Sequence, residues 1–196
     1  MTSRSDPIET IQGVINILPT ALPWVMDAVR ALIRDVPDFP KPGIIFKDIT
    51  PVLQDPKAFK MVIDEFERIY NGKTIDAIVG MESRGFIFGP PLALRFGVPF
   101  ALVRKKGKLP ADKEEISYKL EYGEAIIEMH RDSIKPGQNV LVVDDLLATG
   151  GTAAATISLV ERLGGEVVSC GFVIELSFLK GRDRLPQGKV ESLITY

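Results

Sequence analysis

The segment that most narrows the possible folds of this chain is residues 140–152, which read Val-Leu-Val-Val-Asp-Asp-Leu-Leu-Ala-Thr-Gly-Gly-Thr. Its first four residues form a continuous apolar run, the pattern of a strand that is buried on both faces of a parallel sheet. Two acids end the run, and small and hydroxylic residues then lead into a predicted helix at 152–163. A buried strand that passes through a short loop into a helix predicts a parallel α/β unit.

The same alternation of strand and helix patterns extends over most of the sequence. Strand-like apolar runs lie at 75–79, 99–103, 125–129 and 167–174, and helical apolar stripes lie at 23–34, 56–70 and 86–96. Strands separated by helices favour a parallel sheet with helices on its faces. We therefore predict an α/β fold with a mostly parallel central sheet flanked by helices, and 196 residues suit one domain.

The composition excludes several classes of chemistry. The chain has one cysteine and one histidine, which excludes an internal disulfide framework, a cysteine-rich zinc site and most histidine-based hydrolases. A net charge of −2 argues against a general nucleic-acid binder, because such proteins are basic. The chemistry of this protein must therefore use Asp, Glu, Lys, Arg and backbone amides.

The N-terminal segment could be mistaken for a leader or a membrane span. Residues 10–26 are uncharged, but prolines and amides interrupt them, and they fall short of the roughly 20 apolar residues that a span requires. Asp6 and Glu9 stand where a signal peptide would carry positive charge. We therefore expect a cytoplasmic protein that does not associate with a membrane.

The loop that follows the predicted strand at 140–143 suits both an anion and a sugar. Backbone N–H groups of residues 148–152 would point into the loop with a helix N-terminus behind them, an arrangement that binds phosphate. Thr149 and Thr152 add hydroxyl donors. Asp144 and Asp145 would repel phosphate, but carboxylates accept hydrogen bonds from a vicinal diol. Phosphate beside a diol predicts a ribose 5-phosphate ligand.

Four segments resemble a known family. Residues 140–152 resemble the phosphoribosyl pyrophosphate (PRPP) motif of the type I phosphoribosyltransferases, and Leu-Leu-Ala-Thr-Gly-Gly-Thr is similar to the version in members that use adenine. The other three segments are 39–49, 82–89, and 104–110 together with 117–123. The resemblance implies a type I phosphoribosyltransferase-like fold, in which a small hood and a long flexible loop accompany the central sheet.

The resemblance also implies a domain organisation. An N-terminal extension and helix at 1–36 would pack on the core, and the phosphoribosyltransferase domain would occupy 37–196, with the hood near 37–50 and the flexible loop near 104–120. Residues 104–119 lack periodicity and are rich in Lys, Glu and Gly, so we expect a long exposed loop. Because it has few apolar anchors, we expect only bound ligand to hold this loop over the site.

The resemblance assigns the binding residues to three groups. The ribose hydroxyls and the 5-phosphate are assigned to Asp144, Asp145, Ala148, Thr149, Gly150, Gly151 and Thr152. The pyrophosphate is assigned to Glu82, Ser83, Arg84, Arg104, Lys105 and Lys108. Adenine is assigned to the main chain of Ile45 and to the side chains of Phe46 and Leu146, which would close on opposite faces of the purine.

Glu121 and Arg84 are the candidate catalytic residues implied by the resemblance. Glu121 would handle the proton of the purine, and Arg84 would contact the pyrophosphate or the base. The implied reaction converts adenine and PRPP to AMP and pyrophosphate. Mg²⁺ is the implied cofactor, held mainly by substrate oxygens and water, so no dedicated protein metal site is expected. The family also implies a homodimer.

Two alternatives stay open on the sequence. The same fold could act on hypoxanthine, guanine or xanthine, because main-chain contacts to a base leave no residue signature. A non-catalytic PRPP sensor that regulates transcription is the second alternative. It would need a DNA-binding module, and the residues before Pro37 are too few and too weakly basic for a winged helix.

Overall fold

The structure is a computed structural model that describes residues 23–119 and 123–196. The chain divides between Ala58 and Phe59 into two units. The elements of the first unit are helix α1 (Pro23–Leu32), strands β1 (Arg34–Pro37) and β2 (Ile45–Asp48), and helix α2 (Thr50–Gln54). The two strands pair antiparallel. Helix α3 (Pro56–Tyr70) begins in this unit and continues into the second.

The second unit contains one seven-stranded sheet. Its elements are β3 (Ala77–Met81), α4 (Gly85–Phe96), β4 (Phe100–Lys105), β5 (Lys113–Lys119), β6 (Glu124–His130), β7 (Asn139–Leu147), α5 (Gly151–Arg162), β8 (Glu166–Glu175) and β9 (Val190–Thr195). The strand order is β5-β6-β4-β3-β7-β8-β9. The five strands from β4 to β9 in this order are parallel, whereas β6 runs antiparallel to both β4 and β5. The predicted α/β fold with a mostly parallel central sheet is confirmed.

The centre of this sheet is buried, as the continuous apolar run predicts. Residues 140–143 of β7 are fully buried, and β3 is buried along its whole length. Burial of aliphatic side chains on both faces removes apolar surface from water, which stabilises these two strands as the middle of the sheet. The register pairs Gly80 with Val143, so β3 ends beside the part of β7 that carries the two acids, and β7 continues to Leu147.

A glycine lets helix α4 start close to the end of β7. A Cβ atom on Gly85 would lie 2.7 Å from the carbonyl oxygen of Val143 and 3.1 Å from Oδ1 of Asp144. Real Cβ atoms do not approach backbone this closely, so the residue at this position must lack a side chain. The turn from β3 to α4 is therefore pressed against the strand that carries the two acids.

Arg104 and Lys105, at the start of the long loop predicted at 104–120, belong to β4, and the loop prediction was also wrong for residues 113–119. These residues form β5, which pairs with β6 from Lys113 opposite His130 to Lys119 opposite Glu124. The side chains of Ile116 and Tyr118 are partly buried against the core. These two residues alternate with polar ones, which is a strand pattern, but the surrounding Lys and Glu residues obscured it. The expectation that only ligand holds this segment is contradicted for the same reason.

The remaining predicted helices and strands agree with the structure to within a few residues. Strands β1 and β9 and helix α2 were not predicted, and the predicted N-terminal extension lies almost entirely outside the described residues. No helix among the described residues is long and apolar enough to cross a membrane. The predicted domain boundaries at 36 and 37 stay a prediction.

Replacing Gly85 with alanine tests the close approach of α4 and β7. We expect Gly85→Ala to lower the free energy of unfolding by about 1–3 kcal/mol, because the added methyl group displaces backbone. Gly151→Ala is the matched control, since its Cβ would lie at an ordinary 3.5 Å from the nearest atom, in the ring of Tyr118. Urea unfolding measures both variants, and equal stability losses would contradict the packing described here.

Candidate active site

The candidate site lies where two parallel strands end next to each other. β3 leads into the loop of Glu82, Ser83 and Arg84, and β7 leads into the loop of residues 148–150. In open α/β sheets ligands bind beyond the carboxyl ends of the strands. The register of β3 and β7 therefore brings the predicted pyrophosphate loop and the predicted phosphate loop to one edge of the sheet.

The loop after β7 encloses a small pocket of about 90 Å³. Its lining residues are Met81, Asp144, Leu146, Leu147, Ala148, Thr149, Gly150, Gly151, Thr152, Ala153 and Phe172. All five residues predicted to bind the 5-phosphate belong to this set. Helix α5 begins at Gly151, and the first-turn N–H groups of an α-helix have no intrahelical partner, so the pocket offers donors and a positive dipole end to an anion.

The backbone of Gly181, which the sequence analysis did not identify, packs against the backbone of this loop. A Cβ atom on Gly150 would overlap the carbonyl oxygen of Gly181, and one on Gly181 would overlap the carbonyl oxygen of Ala148. Gly150 also has a φ of +77° at the start of α5, a conformation that favours glycine. The loop keeps its shape because two backbones meet there without side chains. No local pattern around Gly181 could have indicated this contact.

Arg84 and Asp145 join the loop after β3 to the end of β7. The Nε atom of Arg84 lies 2.7 Å from Oδ2 of Asp145, whose side chain is 4% exposed. The N–H of Asp145 donates to Oδ1 of Asp144 at 2.9 Å. Asp144 lines the pocket, whereas Asp145 is directed to Arg84. The sequence analysis assigned both acids to the ribose hydroxyls, whereas Asp145 is buried and paired with Arg84.

Burial disfavours the charged form of both acids, and the guanidinium of Arg84 opposes this effect. Burial raises the pKa of Asp144 well above its ordinary value, and repulsion by Asp145 raises it further. Burial also raises the pKa of Asp145, although the guanidinium of Arg84 opposes this shift. One guanidinium accompanies two carboxyl groups, so the pocket side of the pair suits hydroxyl donors or a cation.

Glu82 contacts the basic segment. Its Oε2 accepts hydrogen bonds from the backbone N–H of Lys105 at 3.0 Å and from Nε of Arg104 at 3.3 Å. Burial opposes ionisation, but these contacts with Lys105 and Arg104 lower the pKa of Glu82 below its ordinary value. A carboxylate also repels phosphate, so Glu82 is suited to positioning Arg104. The peptide bond between Glu82 and Ser83 is cis, and Ser83 is exposed.

Glu128 is a buried carboxylate that sequence reasoning also missed. On β6, its side chain is 0% exposed and lies 3.0 Å from Nζ of Lys113. It accepts hydrogen bonds from the N–H groups of Gly107, Lys108 and Leu109 at 3.0, 2.7 and 2.6 Å. Burial disfavours the charge, but the bonds from Gly107 and Leu109, with those from Lys113 and Lys108, lower the pKa of Glu128 to about 2.

Glu128 thereby fixes the turn that carries the basic residues. Lys105 ends β4 and Lys108 lies in this turn, and Nη1 of Arg104 donates to the carbonyl oxygen of Lys108 at 3.3 Å. Lys106 pairs with Glu115 of β5 at 3.2 Å. The basic cluster is therefore held to the sheet by acids, in contrast to the solvated loop that its composition suggested. A signal in the sequence existed: Glu128 interrupts an otherwise apolar strand.

The predicted adenine residues fall in separate units. Ile45 and Phe46 belong to β2 in the first unit, where the ring of Phe46 packs edge-on against Phe39 at 5.2 Å and Ile45 is 56% exposed. Leu146 lines the pocket in the second unit. Glu121, the predicted proton-handling residue, lies outside the described residues.

Comparison with known proteins gives consistent matches. Residues 50–192 match the phosphoribosyl transferase domain. A protein from Anaeromyxobacter dehalogenans named adenine phosphoribosyltransferase is 56% identical over 172 residues, which cover 88% of this chain and 100% of that protein. One of the same name from Trichlorobacter lovleyi is 53% identical over 171 residues, covering 87% of this chain and 100% of that protein.

Solved structures of proteins with that name have the same fold. The one from Thermoanaerobacter pseudethanolicus superposes with a TM-score of 0.85 at 51% identity, over 87% of this chain and 99% of that one. The one from Saccharomyces cerevisiae, complexed with an imino-altritol bisphosphate and adenine, gives a TM-score of 0.83 at 43% identity, over 87% of this chain and 98% of that one.

The unequal placement of the two acids predicts unequal effects on stability. We expect Asp145→Asn to lower the free energy of unfolding by about 1.5–3 kcal/mol, because it weakens a charge-assisted contact to Arg84. Asp144→Asn should lower it less, since Asp144 lines the pocket. Thermal unfolding of both variants in parallel measures the difference. A larger loss in Asp144→Asn would contradict the contacts described for the pair.

Glu128→Gln tests how the turn at 106–109 is held. Because the folded pKa of about 2 lies below the ordinary 4.5, the stabilisation by Glu128 is complete above about pH 4.5 and is lost as the pH falls towards 2. We expect the variant to be less stable by about 1.5–3 kcal/mol at pH 7, with a shallower stability loss between pH 5 and 3.

Glu166→Gln is the control for that experiment, since Glu166 is 70% exposed and lies 3.7 Å from Lys189. It should keep both the stability and the pH profile of the unmodified protein. Chemical unfolding at several pH values provides the measurement. If Glu128→Gln and Glu166→Gln had the same profile, Glu128 would not stabilise the turn through its charge.

Proposed function

The chain belongs to the phosphoribosyl transferase family, and from that premise we infer that it is a purine salvage enzyme that converts adenine and PRPP to AMP and pyrophosphate. The observation that carries this function is identity above 50% over the whole length of adenine phosphoribosyltransferases. In the reaction, purine N9 bonds to C1 of the ribose as the bond from C1 to the pyrophosphate oxygen breaks. The N9 proton must leave, and positive charge develops on the sugar.

We propose that the pocket after β7 binds the 5-phosphate of PRPP. The support is the start of α5 at Gly151, the loop of Ala148, Thr149 and Gly150, and the hydroxyl of Thr152, all of which line one small cavity. Backbone donors at a helix N-terminus favour a doubly charged phosphate. Asp144, on the same pocket wall, would accept hydrogen bonds from the ribose hydroxyls. Asp145 would then act through Arg84 and through its N–H to Asp144.

The departing pyrophosphate requires positive charge at the adjacent edge of the sheet. Arg84 is 36% exposed and has donors besides the Nε that faces Asp145. Arg104 is oriented by Glu82, and Lys105 and Lys108 follow it on β4 and on the adjoining turn. We propose that these four cations stabilise the leaving group as its negative charge grows. Ser83, exposed between Glu82 and Arg84, would add a hydroxyl donor.

Mg²⁺ is the proposed cofactor. Among residues 23–119 and 123–196, no group of three or more His, Cys, Asp or Glu side chains is arranged to hold a metal ion. The donor chemistry at the site still fits this ion, because the carboxyl group of Asp144 lies beside the proposed places of ribose hydroxyl and phosphate oxygens, which Mg²⁺ prefers. When bound, the ion would neutralise charge on the pyrophosphate.

The adenine contacts and the proton transfer are proposals from the family resemblance. The main chain of Ile45 would read the purine edge, and Phe46 and Leu146 would contact its two faces. Glu121 would take up the proton that leaves N9. A homodimer is proposed on the same ground, and sedimentation velocity at micromolar concentration measures it directly. A cytoplasmic location is proposed from the sequence of the N-terminal segment.

A panel of purines tests the proposed substrate. With PRPP and Mg²⁺, we expect adenine to be used with a kcat/KM higher than that of hypoxanthine, guanine or xanthine by up to about 10⁴–10⁵, because a site that hydrogen-bonds one purine edge rejects the other. Pyrophosphate release measures turnover, and Asp144→Asn provides a variant with weakened PRPP use. Equal or better use of hypoxanthine or guanine would overturn the choice of base.

A further inference from the structure

Tyr118 on β5 connects the β5–β6 hairpin to the phosphate pocket. Its hydroxyl oxygen lies 3.0 Å from Oγ1 of Thr152 in the first turn of α5. Its ring lies beside Gly151, where a Cβ atom would contact the ring at 3.5 Å. Tyr118 is partly buried against the core, so its ring is held in place at the entrance of the helix. Neither the sequence patterns nor the family resemblance assigned Tyr118 a role.

Either hydroxyl could donate in this hydrogen bond, but an anion in the pocket determines which of them does. A hydroxyl has one proton to donate and can accept through its oxygen. If Thr152 donates its proton to a phosphate oxygen, its Oγ1 can only accept from Tyr118. The bond then runs from the Tyr118 hydroxyl to Thr152, and from the Thr152 hydroxyl to phosphate. Hydrogen bonds aligned towards an anion strengthen each other.

The hairpin that carries Tyr118 contacts α5 at a second point. β5 and β6 are paired from Lys113 opposite His130 to Lys119 opposite Glu124, so a contact to β5 also fixes β6. Arg162 of α5 adds a second contact, since its Nη1 donates to the carbonyl oxygen of Glu115 on β5 at 3.2 Å. The hairpin is thus attached to α5 at its first turn and at its last residue.

We propose that Tyr118 is a positioning residue that couples phosphate binding to the placement of the β5–β6 hairpin on α5. This inference rests on the proposed function of the pocket. Phosphate in the pocket strengthens the bond from Tyr118 to Thr152, which holds the hairpin on α5. By thermodynamic linkage, the docked hairpin must in turn strengthen phosphate binding by the same factor.

Tyr118→Phe removes the hydroxyl and keeps the ring. Amide hydrogen exchange of residues 113–119 is measured with and without ribose 5-phosphate, in the full chain and without adenine. In the unmodified protein we expect ribose 5-phosphate to slow exchange in β5. In Tyr118→Phe this slowing, and the affinity for ribose 5-phosphate, should decrease about three- to tenfold, the range that one hydrogen bond contributes.

Tyr70→Phe is the matched control, because it removes a tyrosine hydroxyl that packs against Gly171 in the core. It should keep the full effect of ribose 5-phosphate. Thr152→Val should reproduce the loss seen in Tyr118→Phe, Thr152→Ser should retain the coupling, and the double variant Tyr118→Phe/Thr152→Val should lose no more than Thr152→Val alone. A packing role for Tyr118 would instead change exchange equally with and without ligand.

Steady-state kinetics adds a second measurement. We expect Tyr118→Phe to raise the KM for PRPP, with little change in the KM for adenine, because the hydroxyl acts at the phosphate end. Full slowing of exchange by ribose 5-phosphate in Tyr118→Phe would overturn the coupling. The exchange experiment needs no turnover, so failure of the coupling is distinguishable from failure of the adenine reaction, which the purine panel measures in the unmodified protein.

Discussion

The ion pair between Arg84 and Asp145 is the interaction on which the geometry of the site depends. It joins the loop after β3 to the end of β7 at a distance of 2.7 Å, and it does so next to Gly85, whose missing side chain lets α4 approach the same strand. A buried carboxylate requires a partner, since an unpaired charge away from water is costly. Satisfying Asp145 thus places a guanidinium beside the acidic pair, where we propose that the leaving group binds.

Acidic residues organise the basic part of the site. Glu82 orients Arg104, and the fully buried Glu128 binds the three N–H groups of the turn from Gly107 to Leu109. Cations gathered over a site repel one another when the substrate is absent. Carboxylates behind them reduce that repulsion and fix their positions, so that less reorganisation is required when negative charge develops on the pyrophosphate.

Much of the fold and part of the site could be predicted from the sequence. The apolar run at 140–143 predicted the central strand, and the small residues after it predicted the loop and the helix start that follow, because strand burial and helix starts depend on neighbouring residues. The sequence analysis did not predict strand β5, because the partial burial of Ile116 and Tyr118 depends on pairing with β6 and on packing against the core. The pairing of Asp145 with Arg84 was also missed, because both acids follow the strand and the sequence does not say which one turns inward.

The sequence by itself determined the unit of buried strand, acidic pair, glycine loop and helix, because this unit rests on contacts between residues that are close along the chain. Only the tertiary structure decided which groups meet from distant segments: Arg84 with Asp145, Glu128 with the turn at 107–109, Gly150 with Gly181, and Tyr118 with Thr152. These contacts depend on strand order, on register and on backbones that approach without side chains. Local residue patterns carry no record of such partners, because each partner comes from a different element of the sheet.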